Sequence, residues 1–596
     1  MTYISNYDRI TKIIKGMEKE KLVNIFKLIG DMLIILGENP FKSRSYYNAA
    51  RVIENLSDDI EKLSREGGLE KLKGIGEKLS QEITEFIRTG DILYYNDLRE
   101  QVTDNVLELL RIQGLGPKKI HILINELNIT SIHRLERACR DGKVEGIKGF
   151  GKRSQDHFLR GIEYLKTTIG SSLINHATII SEELIKHLNI LESVDRIEIA
   201  GSLRRRNEIV NNINILVQSS DPGEVVKRFV EFPDASKVIE QGENDGIIKL
   251  TSGLIVNLNI IKEEEFPFAL HHFTGSLDYN LTMQDYTNEI NYQLNKNGLY
   301  KNNERIECSS EEEIFKELQL SFIPPELREN TGEIQSAKDG LIPDLVKEID
   351  LKGVIHVHST YSDGLNTIEE LADYCFQKGY SYLVISDHSK AAFYAGGLKE
   401  ADIIHQWDEI DQVNKKFKDK EFKIFKAIES DILMDGSLDY DDEMLSGFDL
   451  VFGSIHSGFK MQEDEMTIRI ITAMKNPYLS ILGHPSGRLL LTRKPYKVNL
   501  TEIIKTAAAE NVMIEINSNP QRLDLDWRYC KQAKELGVKI IISTDAHKLE
   551  GIDFDKFGIG IARKGWLTKN DILNTLEQSE FEKFIKEHRK ERLASR

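Results

Sequence analysis

Nine side chains able to ligate a metal recur in the C-terminal part of the sequence: His356, His358, Asp363, His388, Glu429, His456, His484, Asp545 and His547. Imidazole nitrogens and carboxylate oxygens without thiolate suit zinc, manganese or iron. Nine donors exceed the needs of one ion. A cluster of two or three divalent ions sharing a bridging carboxylate would use them. Any single histidine is more simply read as a strand cap or a buried hydrogen-bonding group, but that reading fits a whole set at corresponding strand ends poorly. Clustered cations lower the pKa of a bound water toward ~7 and stabilise both the attacking and the leaving oxygens of a phosphoryl centre, which is phosphate-ester hydrolysis. Arg488, in His484-Pro485-Ser486-Gly487-Arg488, has the planar fork to hold a phosphate, with a surface ion pair as the equal alternative. Arg522 is a similar, lesser candidate.

Ligands so placed need strands to present them. From about residue 350, seven apolar runs alternate with helical stretches. They end at His356-Val357-His358, Ser386-Asp387-His388, Ile428-Glu429, Ser454-Ile455-His456, Leu482-Gly483-His484, Ile514-Glu515-Ile516-Asn517 and Thr544-Asp545-Ala546-His547. Continuous apolar strands between helices imply a parallel sheet covered on both faces. Seven such units fit a closed β/α barrel, whose chemistry gathers at the C-terminal strand ends.

The first 170 residues read differently, as short helices punctuated by a repeat. Leu72-Lys73-Gly74-Ile75-Gly76, Ile112-Gln113-Gly114-Leu115-Gly116 and Ile147-Lys148-Gly149-Phe150-Gly151 each place an apolar-x-Gly-apolar-Gly string before a new helix. Small residues there let a backbone approach a phosphate, and the amides that open the following helix carry partial positive charge. Lys78, Lys118, Lys119, Lys152 and Arg153 could add attraction. The bland alternative is three tight corners between helices. Between the two regions, residues 171–262 alternate helix and strand, with strands expected at 197–200, 213–217, 247–250 and 254–261. Residues 331–349 read as a linker.

Composition narrows the rest. The 596 residues are 40% hydrophobic and 29% charged, which excludes a disordered or low-complexity chain and leaves room for several cores. No apolar run reaches the ~18 residues that a membrane span requires. The N-terminus does not resemble a secretory signal, and four scattered cysteines form no metal or disulfide framework, so a cytoplasmic protein is expected. The net charge of −17 is uneven: +3 over 1–170, −14 over 171–349 and −6 over 350–596. A polyanion is attracted to the first segment if to any.

These strings carry resemblances. His356-Val357-His358-Ser359 with Ser362-Asp363-Gly364, Asp387-His388-Ser389, Ile455-His456-Ser457 and Asp545-Ala546-His547 resemble the polymerase and histidinol phosphatase (PHP) domain. That likeness implies a distorted seven-stranded barrel and three metal ions, Mn²⁺, Zn²⁺ or Fe²⁺. His356, His358, Glu429 and Asp545 would hold one, and Glu429, His456 and His484 a second. Asp363, His388 and His547 would hold the third. The glycine strings resemble helix-hairpin-helix motifs, which implies DNA contacts through Gly74, Gly76, Lys78, Gly114, Gly116, Lys118, Lys119, Gly149, Gly151 and Lys152.

In the middle, Gly201-Ser202-Leu203-Arg204-Arg205-Arg206 and Asn212-Ile213-Asn214 resemble the nucleotidyltransferase signature of DNA polymerase family X. His272-Phe273-Thr274-Gly275-Ser276 resembles that family's nucleotide-binding turn, and Ile323-Pro324-Pro325-Glu326-Leu327-Arg328 the end of its thumb. From end to end the chain resembles a bacterial polymerase X. The resemblance implies nucleotide contacts from Gly201, Ser202, Arg205, Gly275, Ser276 and Asn280. The departure lies where the family carries its three catalytic aspartates: here stand Asn212, Asn214 and Asn257. An amide is a far poorer ligand than a carboxylate for Mg²⁺ and cannot take a primer proton. Mg²⁺ at that site is therefore not expected to support synthesis. Asp195 and Asp245 lie outside these strands. The Schiff-base lysine of the β-type polymerases aligns with Glu82, so lyase activity is expected to be weak or absent.

The expected architecture is multidomain: an all-α helix-hairpin-helix region (1–90 lyase-like, 91–170 fingers-like), an α/β nucleotidyltransferase palm (171–262), a thumb (263–330), the linker and a PHP barrel (350–596). The expected function is metal-dependent 3′–5′ exonuclease or 3′-end phosphoesterase action in DNA repair. The protein would act as a monomer on gapped or 3′-ended DNA without sequence preference, with the polymerase core inactive. The alternatives are a working gap-filling polymerase, a small-molecule phosphatase and a non-catalytic DNA-binding protein.

Overall fold

The computed structural model describes residues 6–595 except 55, 57–59, 113 and 169, and the chain divides into two compact units, 1–169 and 170–596. No helix among the described residues is long and apolar enough to cross a membrane.

In the first unit the glycine strings form the same turn three times. Ile75 donates its amide to the Leu72 carbonyl at 3.0 Å, Leu115 to Ile112 at 3.0 Å and Phe150 to Ile147 at 2.9 Å. The middle apolar residue of each string is buried as an anchor. The first glycine takes the left-handed backbone that L side chains avoid, with φ of 103° at Gly74, 80° at Gly114 and 91° at Gly149. Helices Glu77–Thr89, Pro117–Leu127 and Lys152–Thr168 follow directly. One apolar core runs from Leu22 to Leu165. The division expected near residue 90 therefore does not separate two cores.

The second unit contains, after the helix Ile174–Leu188, a five-stranded sheet in the order Val194–Ala200, Asn212–Ser219, Ile255–Ile260, Asp245–Leu250 and Ala235–Gln241. The last of these escapes sequence reading because it is an exposed edge strand with no apolar alternation to mark it. Residues 331–349, expected as a linker, are packed instead. They contain the helix Glu333–Lys338 and bury Leu345 and Val346, whose amide donates to the Leu567 carbonyl at 3.1 Å.

The thumb is pinned by a buried ion pair. Glu311 accepts from Arg328 at 2.6 Å and from Arg204 at 2.5 Å. Burial pushes the Glu311 carboxyl up, but the two guanidiniums outweigh it and hold it near 2. Its folded pKa lies below the unfolded one, so this stabilisation is full above about pH 4.5 and lost as the pH falls toward 2. We expect Glu311→Gln to cost about 3 kcal/mol at pH 7. In urea unfolding, its gap from the native protein should narrow as the pH drops through that window.

Seven strands, Gly353–Val357, Tyr382–His388, Lys423–Asp431, Leu450–Ser454, Ile481–Leu482, Met513–Asn517 and Ile540–Ser543, pair in parallel in sequence order. Ala546 accepts from the His358 amide at 2.9 Å and Thr544 donates to Ile355 at 3.2 Å, closing last strand onto first. Palm and barrel share one continuous apolar cluster. Lys564, at the end of the barrel helix Asp555–Lys564, is buried against the palm's signature turn. It donates to the Arg205 carbonyl at 3.3 Å and to Asn207 at 2.7 Å, and it pairs with Glu329.

Candidate metal centre

The candidate ligands converge at the C-terminal strand ends and the loops that follow, and local backbone features aim them. The first barrel strand shifts register between Val354 and Val357, and His356 within it has φ of 63°. Such a bulge re-aims a side chain at a cost that surrounding structure must offset.

Glu429 lies at the centre and is fully buried. Its Oε2 faces His388 Nδ1 at 2.8 Å, His356 Nε2 at 3.5 Å and His358 Nε2 at 3.7 Å. Its Oε1 faces His484 Nε2 at 3.0 Å and His456 Nε2 at 3.3 Å. One carboxylate thus presents each oxygen to a different histidine set, as a bridging ligand must. Around it, ligand atoms of His358, Asp363, His388 and His547 cluster closely, as do those of His356, His358 and Asp545, and of His388, Glu429 and His456. His358 and His388 each belong to two groups, so sharing extends beyond Glu429, the residue the resemblance places in two sets.

The electrostatics fit a cation cluster. Burial opposes charge on His456, yet Glu429 and Asp431 raise it to about 10. Burial likewise opposes charge on His547, but Asp363 and Asp545 bring it to about 9. His358 falls to about 3 through burial and the neighbouring His547 and His388. Burial pushes Glu429 up, but the imidazoles of His456, His388 and His356 hold it well below the usual carboxylate range. Several buried ligand atoms, including His356 Nε2, both His358 nitrogens and His484 Nδ1, face other ligands without a well-formed hydrogen bond. Buried polar atoms are otherwise almost always satisfied, so the donor set suits divalent ions.

Sequence reading passed over the groups that orient these ligands. Glu515 is fully buried and meets His356 Nδ1 at 2.5 Å, leaving Nε2 toward the cluster. It also accepts from Ser543 Oγ at 2.5 Å and from the His484 amide. Asn517 donates to Asp545 at 3.0 Å, and Asp431 lies 3.4 Å from His456 Nδ1. The available signal was a carboxylate inside an apolar run, since a charge on a covered strand needs a partner. Loss of such a helper typically weakens metal binding 10- to 100-fold. We expect Glu515→Gln to lower Mn²⁺ affinity by about that factor, read by isothermal titration, with the fold intact.

Arg488 needs correction as a phosphate ligand. Its side chain is 9% exposed and its donors go to Arg522 O at 2.8 Å, Leu523 O and Asp526 at 2.7 Å, with the palm's Glu208 at 3.6 Å. It holds a loop in place. Arg522, carried by that loop, reaches the cluster, with Nε 3.1 Å from Asp545 Oδ2.

In the palm, Asn214 and Asn257 are directly paired on adjacent parallel strands. Asn257 donates to Asn214 Oδ1 at 2.8 Å, and Asn214 to Asn212 Oδ1 at 3.2 Å. The three amides satisfy one another in a chain that three carboxylates, being acceptors only, could not form. Gly201 packs tightly here; a Cβ on it would stand 2.5 Å from Asn214 Nδ2. Arg205, expected to meet a nucleotide, spends its guanidinium on Glu329 at 2.9 Å and on the Thr274 carbonyl, so its role is structural. Ser276 caps the helix Leu277–Glu289, and Asn280 donates to the His272 carbonyl at 2.8 Å. Gly275 lies beside Arg205, and Ser202 accepts the Asn207 amide at its carbonyl. In the first unit Glu82 is buried and accepts from Tyr46 at 2.9 Å, with Lys78 3.6 Å away.

Comparison with known proteins places the whole assembly. Over 574 residues, covering 96% of this chain and 100% of the relative, it is 35% identical to DNA polymerase/3′-5′ exonuclease PolX of Bacillus subtilis (strain 168). The chain belongs to the bacterial DNA polymerase X family. The parts of polymerase X are also matched separately. A helix-hairpin-helix domain covers residues 17–92, a SAM-like helix-hairpin-helix tandem 106–154, a DNA polymerase beta thumb 269–329 and a PHP domain 355–519. The PHP part of this polymerase X is further similar to a probable phosphatase of Thermoanaerobacter sp. (strain X514). The two are 27% identical over 255 residues, 40% of this chain and 97% of the relative.

Proposed function

We propose that this polymerase X hydrolyses phosphodiester bonds at DNA 3′ ends through its barrel, with three divalent ions, while its palm does not extend primers. The observation that carries the reading is the split of Glu429, each oxygen facing a different histidine set. When bound, the ions supply Lewis-acid charge to water and to the phosphoryl oxygens. Glu429 would be shared between ions, Glu515 fixes the His356 tautomer, and Arg522 would offer a cation for a phosphate oxygen. In this reading residues 1–170 hold DNA, 171–330 keep the palm and thumb as scaffold, and 350–596 carry the hydrolysis. The test is digestion of 5′-labelled DNA by the Mn²⁺-loaded chain. Stepwise loss from the 3′ end is expected, and an unchanged ladder would sink it. A small-molecule phosphatase is the second reading, favoured by the probable phosphatase that matches the barrel. Faster turnover of a phosphomonoester than of DNA would select it.

DNA contact at the hairpins has its own support. A Cβ added to Gly76, Gly116 or Gly151 would meet no described heavy atom within 4 Å. Gly76 and Gly116 also have ordinary φ of −89° and −84°. Nothing internal asks for glycine there, whereas a phosphate approaching the backbone would. We expect Gly76→Ala with Gly116→Ala to leave the melting temperature level or slightly higher. DNA affinity should fall about tenfold or more, read by fluorescence anisotropy.

A further inference from the structure

The turn that follows the second barrel strand carries two adjacent exposed aromatic rings. Phe393 is 84% exposed and Tyr394 65% exposed, with ring centroids 6.0 Å apart and planes at 78°, so each offers a separate face. Scattered exposed apolar groups are common and say little alone. The placement of these two is what distinguishes them.

Their turn, Phe393–Ala395, starts five residues beyond His388 on the same segment. Its far side is Gly396, where a Cβ would stand 3.4 Å from the Ser362 carbonyl, next to Asp363. The turn thus follows one member of a ligand group, His388, along the chain and packs at its far end on the residue before another, Asp363. The segment is held firmly. Ala391 donates to Asp439 at 2.6 Å, Lys390 to Tyr440 at 3.1 Å, and Leu398 to the His388 carbonyl at 2.9 Å. The Tyr394 phenol also feels the cluster: it is raised to about 12 by burial and by Asp431, Glu429 and Asp363, against Arg522.

We propose that Phe393 and Tyr394 form a stacking platform for unstacked nucleobases at the 3′ end whose phosphodiester the metal centre cleaves. This rests on the nuclease reading and names its substrate class: single-stranded or frayed 3′ ends with bases, rather than bare phosphoesters. Rigid, exposed π faces beside a phosphoryl site suit a nucleobase, which is joined to its phosphate by a single sugar. Stacking on aromatic side chains accepts any base, as expected for a protein with no sequence preference.

Two measurements test it. The first needs no turnover. An oligonucleotide with 2-aminopurine at its 3′ end is titrated with Glu429→Ala protein, with and without Phe393→Ala and Tyr394→Ala. Quenching of 2-aminopurine by the parent and its loss in the platform variant is expected. Equal quenching by both, or by neither, overturns the proposal. The second compares kcat/KM on ordinary 3′ single strands with that on strands whose last three nucleotides are abasic. The native chain should prefer bases by about tenfold or more, and the platform variant should lose that preference. A preference kept by the variant, or absent from the native chain, overturns the platform alone. No digestion of either strand by the native chain overturns the nuclease reading, while the quenching result still judges the platform.

Discussion

Replacing Glu429 with alanine is expected to remove 3′-end digestion and to lower bound metal together. The carboxylate lies between two histidine sets, so its loss both deletes a ligand for more than one ion and leaves the remaining cations less shielded from one another. A loss of about 10³-fold or more in rate, roughly 4 kcal/mol of transition-state stabilisation, should result. Plasma-emission metal analysis beside the digestion assay reads both effects. Circular dichroism establishes that the barrel is folded. His356→Ala with His358→Ala should behave alike. Undiminished digestion by a folded Glu429→Ala protein would refute the assignment of the metal centre.

The second large effect is an absence of synthesis. The native chain should add no templated nucleotide to a gapped primer with Mg²⁺ or Mn²⁺, even in a Glu429→Ala background where digestion cannot mask extension. Two-metal phosphoryl transfer needs carboxylates to gather its cations, and each lost ligand costs several kcal/mol, where about 1.4 kcal/mol is tenfold in rate. Here the three positions are amides that hydrogen bond to one another, 2.8 and 3.2 Å apart. The revealing variant is Asn212→Asp with Asn214→Asp and Asn257→Asp. Three carboxylates so close repel one another unless a cation lies between them. The triple variant should therefore melt lower than its parent, recover on adding Mg²⁺, and gain extension if the palm lacks only its carboxylates. Robust extension by the unaltered chain would refute the reading.

The sequence made the metal centre legible because its ligands sit at the ends of apolar runs, a register that survives without coordinates. The barrel and the palm strands expected at 213–217 and 254–261, found at Asn212–Ser219 and Ile255–Ile260, followed from the same apolar patterning, and the hairpins from the repeated glycine strings. What escaped was of two physical kinds. Ala235–Gln241 is solvated along most of its length, so no alternation marks it as a strand. Glu515 and Asp431 act on ligands carried by other strands, and spacing along the chain says nothing about such neighbours; Arg522, a lesser phosphate candidate from the sequence, does reach the cluster. Arg488 shows the converse. Whether its guanidinium meets a substrate or two backbone carbonyls depends on a loop some 35 residues on.

The burial of Lys564 against the palm's signature turn has a consequence for how this chain can change. Arg205 and Asn207 accept from the lysine's ammonium group, and Glu329 takes its charge. A palm with no chemistry of its own would be free to be shed if it were a separate bead on a string. Here its removal would leave the Lys564 ammonium group and the barrel's share of the common apolar cluster in water. Barrel and palm are therefore one folding object, and the smallest fragment of this unit that should stay folded begins near residue 170, not near 350.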